Sequence, residues 1–162
     1  MLKQLRGIVF DLDGTLVDSA LDFPAMRREI GCPEGTGLLE FVDKLGCATK
    51  RATAEAVIHR HEMAGAARAT WMPGASRLLQ GIAQAGLPTG IVTRNSREAA
   101  GMTLSSLGAP QLALVAREDA RPKPDPDGLL QLAERWQLAP GTLAYVGDFR
   151  FDIEAARLSL IH

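Results

Sequence analysis

The sequence has little of what would assign it to a special class. It holds two cysteines, Cys32 and Cys47, too few for a disulfide-stapled scaffold. In a chain with no secretory signal they read as free thiols, not as a metal framework. No apolar run approaches the roughly 18 residues of a membrane span. The N-terminal stretch MLKQLRGIVFDLDG is too briefly hydrophobic, and too soon interrupted by acids, for a signal peptide. A cytoplasmic protein with no membrane partner is expected. An excess of one charge is also missing, since 18 Lys and Arg face 19 Asp and Glu for a net charge of -1. No nucleic-acid partner is therefore expected. The remainder is ordinary globular composition, in a chain of 162 residues long enough for one core domain with a small insertion. There is no internal repeat and no low-complexity tract.

Four short apolar runs are present: 5–10, 87–93, 112–115 and 143–146. None alternates with period two, which suits strands covered on both faces of a parallel sheet. Helical patterns lie between them. Residues 74–86 line up Leu78, Leu79 and Ile82 with Gly86 as a stop; Ser96 can cap 97–107, which Gly108 ends. In 125–136, Asp125 is expected to cap and Pro126 to take the first helical position. Alternating strand and helix predicts a doubly wound α/β fold, with ligands at the strand carboxyl ends. Between Val17 and Met72 the rhythm breaks. That stretch has no convincing strand and reads as two or three helices, one of them running from 49 to 69. The expected division is therefore a core of 1–16 plus 73–162, and a helical cap of 17–72, where Pro73 and Gly74 mark the return.

The strand ends carry the chemistry. Residues two apart in an extended chain project to one side, so Asp11 and Asp13 in DLDGTLVDS can share a space while Gly14 turns the backbone away. At about 4 Å in a partly dehydrated site two such carboxylates repel by roughly 4 kcal/mol, which calls for a proton or a cation between them. Asp148 and Asp152 in VGDFRFD end the last apolar run, and Mg²⁺ suits a few carboxylates plus water. Thr93 offers a hydroxyl, and Arg94 and Asn95 offer backbone N–H groups near a helix start, a cradle for an anion. Lys123 in RPKPDP starts from a backbone that its prolines are expected to hold extended. Acids on one side, with Thr93 and Lys123 on the other, suit a phosphate ester and phosphoryl transfer to a carboxylate.

In order, DLDGTLVDS, IVTRNS, RPKPDP and VGDFRFD resemble the four motifs of the haloacid dehalogenase superfamily, across the whole chain. They look like its phosphatases with a small helical cap after the first strand, of the phosphoglycolate phosphatase-like kind. The resemblance implies Asp11 as the nucleophile that becomes aspartyl-phosphate and Asp13 as general acid, then general base. It implies a Mg²⁺ site from Asp11, the Asp13 main-chain carbonyl, Asp148 and Asp152. It makes Thr93, Arg94, Asn95 and Lys123 the groups that bind the substrate, a small phosphorylated metabolite. The superfamily's dehalogenases lack the second motif-one aspartate, so Asp13 favours phosphatase chemistry. A sugar phosphomutase and a catalytically weak phosphate-binding or regulatory protein are the alternatives, and monomer and homodimer are both open.

Other residues carry less. His59 and His61, two apart on a helix, point in different directions and make no metal pair. Asp18 and Asp22 are expected to begin the first cap helix or line the hinge. Arg27, Arg28, Arg60 and Arg68 lie in the cap, where one could reach an anionic substrate group but solvated faces are the default. Two departures from the family pattern stand out. Phe149 replaces a small hydroxyl residue, and the chain stops at AARLSLIH, earlier than its relatives. The run at 143–146 is then expected to form an apolar, unpaired edge.

Overall fold

A computed structural model describes residues 5–162. Four parallel strands form the main sheet: β1 (Gly7–Phe10), β4 (Thr89–Val92), β5 (Ala113–Val115) and β6 (Leu143–Val146). Their spatial order is β5-β4-β1-β6. Phe10 of β1 lies beside Ile91 of β4 and Val146 of β6, so the turns after these three strands open side by side. Helices α4 (Ala75–Gln84), α5 (Arg97–Ser106), α6 (Asp127–Trp136) and α7 (Arg150–Ser159) cover the faces.

Successive strand residues serve opposite faces. Val9, Val92 and Leu143 pack with Leu129, Leu132 and Ala155 of α6 and α7. Phe10 and Ile91 pack with Leu79, Ile82 and Ala100 of α4 and α5. This double burial is why the apolar runs do not alternate. Each fully buried aliphatic side chain favours the fold by roughly 1.5–3 kcal/mol over an exposed one.

The cap consists of α1 (Phe23–Ile30), α2 (Leu38–Asp43) and α3 (Ala48–Ala66). Asp22 caps α1 by accepting from Ala25 N at 2.8 Å. Helix α3 ends three residues before the expected 69. Contrary to the expectation of no strand in the insertion, β2 (Val17–Asp18) and β3 (Thr70–Trp71) pair antiparallel where the cap leaves and rejoins the core. Two residues a side are too short to leave a periodic pattern.

Two other expectations need correction. Helix α6 begins at Asp127 with Pro126 at the cap position, although the Asp125 carboxylate does accept from Asp127 N at 3.0 Å. Lys123 sits in a turn closed by Asp125 N donating to Pro122 O at 3.1 Å, with the Lys123–Pro124 peptide cis. Finally, β6 is an edge strand, but not a bare one. Tyr145 N donates to His162 O at 2.7 Å and His162 N donates to Leu143 O at 3.2 Å. Cys32 and Cys47 are free thiols. Among the described residues no helix is long and apolar enough to cross a membrane.

Candidate active site

The strand ends bring the acids together. One carboxylate oxygen from each of Asp11, Asp148 and Asp152 lies within 4.8 Å of the others. Asp11 follows β1, with its N–H donating to Val146 O at 2.8 Å. Asp148 follows β6, and Asp152 lies in the first turn of α7. Two glycines permit the approach. At Gly14, whose φ is +82°, a Cβ would collide with the Asp148 carboxylate; at Gly147 it would collide with Asp152. Asp11 and Asp152 are buried, whereas Asp148 is exposed and accepts from Thr15 Oγ1 at 2.9 Å.

Lys123 enters this cluster and is itself only 4% exposed. Its Nζ donates to Asp11 Oδ1 at 2.7 Å, to Asp152 Oδ1 at 2.6 Å and to the Tyr145 hydroxyl at 2.9 Å. Tyr145 donates to Asp152 Oδ1 at 2.8 Å. The other oxygen of Asp152 accepts from Phe149 N at 2.9 Å. One ammonium thus faces three acids, a surplus of negative charge that hard oxygen donors share with a divalent cation. The donor set fits Mg²⁺. Burial pushes the Asp11 carboxyl up to about 6; Lys123 pulls it down and Asp152 adds to the rise. Burial likewise pushes the Tyr145 hydroxyl up, helped by Asp11 and Asp152.

Asp13 stands apart from the three-acid cluster. The Ser19 hydroxyl donates to its Oδ1, and Asn95 Nδ2 donates to its Oδ2 at 2.6 Å. Burial raises its carboxyl above the ordinary value while those two hydrogen bonds oppose the rise. Thr93, buried at the end of β4, accepts from Asn95 N at 3.1 Å. Arg94 does not turn its side chain into this cradle. Its guanidinium donates to Lys123 O at 2.6 Å and to Glu40 Oε1 of α2 at 2.7 Å, and lies 4.8 Å over the Phe151 ring.

Three residues absent from the sequence reading belong to this neighbourhood: Tyr145, Ser19 and Glu62. Tyr145 left a signal, because a lone tyrosine in a buried aliphatic strand needs a partner for its hydroxyl. Ser19 and Glu62 left none. The cap arginines do not bond to the acid cluster: Arg27 donates to Pro33 O and Thr36 O, Arg60 to Glu29, and Arg68 to Ala20 O.

The four motif regions that the sequence placed at strand ends meet here in space, and comparison with known proteins agrees. A family model for haloacid dehalogenase-like hydrolase matches residues 5–159. A haloacid dehalogenase-like hydrolase domain-containing protein of Arabidopsis thaliana is 29% identical over 90% of this chain, which spans 63% of that protein's length. A phosphoglycolate phosphatase of Xanthomonas campestris pv. campestris is 36% identical over 94% of this chain and 78% of its own. Among solved structures, a hydrolase from Pseudomonas syringae superposes with a TM-score of 0.73 at 26% identity, covering 97% of this chain and 82% of the other. With the motifs converging in space and the family model running nearly end to end, the chain belongs to the haloacid dehalogenase-like hydrolases.

Proposed function

We propose that this chain is a Mg²⁺-dependent phosphatase that hydrolyses a small phosphorylated metabolite through an aspartyl-phosphate on Asp11. The observation that carries the reading is the meeting of Asp11, Lys123, Asp148 and Asp152 at adjacent strand ends, with Thr93 one strand away. The 36% identity to a phosphoglycolate phosphatase supports it.

A carboxylate oxygen of Asp11 attacks the ester phosphorus, and the bond from phosphorus to the alcohol oxygen breaks. Asp13, whose burial favours the protonated form, gives its proton to the departing oxygen. Water then attacks the phosphorus of the acyl phosphate, Asp13 takes the proton back, and phosphate leaves with Asp11 regenerated. Lys123 holds Asp11 in place and offsets negative charge on the transferred group. Thr93 and the backbone N–H groups of Arg94 and Asn95 orient the phosphoryl oxygens. Asp11, Asp148, Asp152 and the Asp13 carbonyl would hold Mg²⁺, which when bound supplies positive charge to the phosphoryl group. A cap of residues 17–72 shields the site from bulk water.

The test is turnover of p-nitrophenyl phosphate and a panel of phosphorylated metabolites with and without Mg²⁺. Activity should require the metal and disappear in Asp11→Asn. Metal-independent turnover, or an unaffected variant, rejects the proposal.

A further inference from the structure

Both oxygens of Asp13 are held by residues that lean on one cap helix. Ser19 donates to Oδ1 and Asn95 to Oδ2. Helix α3 touches the first of these through Gly65. It packs so closely that a Cβ there would lie 3.0 Å from Ser19 O and 2.9 Å from Leu21 Cδ2. One helical turn earlier on the same face lies Glu62, 5% exposed, which serves the second. Its Oε2 accepts from Ser96 N at 3.3 Å, and its Oε1 accepts from Arg117 Nη1 at 2.5 Å. Arg117 in turn donates from Nη1 to Arg94 O at 3.2 Å and from its backbone N to Asn95 O at 3.0 Å. Three consecutive residues, 94 to 96, each have a backbone group fixed in a net centred on Glu62. Burying a carboxylate is costly unless its bonds are good, and these bonds go to the loop that presents Asn95, not to the cap's own interior.

We propose that Glu62 is a positioning residue: through Ser96 N and Arg117 it sets the 94–96 loop so that Asn95 orients the Asp13 carboxyl, while Gly65 seats Ser19 against the other oxygen. The inference rests on the phosphatase reading, in which Asp13 protonates the leaving oxygen. A plain ionic tie between cap and core would affect every substrate alike. A brace for the general acid affects only those whose leaving group needs the proton.

Two esters of similar size separate these cases. p-Nitrophenyl phosphate releases a phenolate that departs without protonation, whereas benzyl phosphate releases an alkoxide that must receive the Asp13 proton as its P–O bond breaks. General acid catalysis contributes roughly 10²–10⁴-fold. In Glu62→Ala, kcat/KM for benzyl phosphate should therefore fall about 10- to 100-fold, and for p-nitrophenyl phosphate by less than about 3-fold. Equal losses on the two esters, or no loss on either, overturn the assignment. If Glu62→Ala does not fold, Glu62→Gln keeps an oxygen for Ser96 N and should show the same skew in smaller measure. A second readout needs no turnover. The Asn95 side-chain amide in a ¹⁵N spectrum of the protein without substrate should shift and exchange faster in Glu62→Gln. An unmoved signal overturns the proposal. A wild-type protein inert towards both esters with Mg²⁺ would instead count against the phosphatase reading, and the amide signal would still decide the role of Glu62.

Discussion

Core and cap are held together differently. In the core, alternate side chains of β1 and β4 vanish into apolar clusters on both faces of the sheet. In the cap, Val42, Ala54 and Ile58 are the buried members of a much smaller cluster. Two of the cap's ties to the core are ionic: Glu40 to Arg94 at 2.7 Å and Glu62 to Arg117 at 2.5 Å. The core is thus fixed by area removed from water, while the cap is aimed by a few charged groups next to the chemistry. Rigidity and aim are supplied by different residues.

Substitutions can break this contrast apart. The largest effect belongs to Ile91→Ala at the centre of the sheet, fully buried, which should cost about 4 kcal/mol in urea unfolding. Ile58→Ala in the cap cluster should cost about 2 kcal/mol, since the smaller cluster can collapse around the gap. Equal costs would mean that cap and core share one level of packing.

The acid cluster gives a third prediction, with the opposite sign. The Asp11 carboxyl rises from 3.8 to about 6 on folding, so the folded chain binds the proton more tightly. Its contribution is fully present below about pH 4 and is lost as pH rises through about 6. In EDTA-treated protein at pH 7.5, Asp11→Asn should be more stable than wild type by about 2 kcal/mol, with the gap closing below pH 4. Thermal melts across that range, repeated with Mg²⁺, check it; a gap independent of pH would contradict the burial argument. Gly14→Ala should cost about 1 kcal/mol for its left-handed backbone and weaken Mg²⁺ binding, because its methyl would displace the Asp148 carboxylate. A Mg²⁺ titration followed by calorimetry measures that. Smallest of all, Arg60→Ala removes an exposed pair with Glu29 in the cap and should leave the melting temperature unchanged.

Much of the core was legible in the sequence, because two-sided burial writes itself as unbroken apolar runs with acids, a hydroxyl or a lysine near their ends. Residues 143–146 matched β6 in full, and the other three runs enclosed their strands. The pairing of β1 with β6, on which the acid convergence depends, could be assumed but not read, since strand order is a tertiary property. The β2–β3 ribbon was too short to signal itself. Glu62 was illegible for a deeper reason. A glutamate on a helix of low amphipathicity looks like any solvated side chain, and only the arrival of Arg117, 55 positions later, makes it a buried hub. The Arg94 side chain was equally illegible. Its position beside Thr93 suggested a role for its backbone N–H, and nothing in the sequence told that its guanidinium meets Glu40 and the Phe151 ring.

Because Tyr145 is the chain's sole tyrosine and its hydroxyl is knotted to Lys123 and Asp152, the protein carries an intrinsic optical label at its chemical centre. Trp71, in the ribbon where the cap joins, and Trp136, against the core sheet, label the other two regions. Near-ultraviolet absorbance can thus follow the ammonium–carboxylate knot, and single-tryptophan variants can follow hinge and sheet separately, with no dye attached.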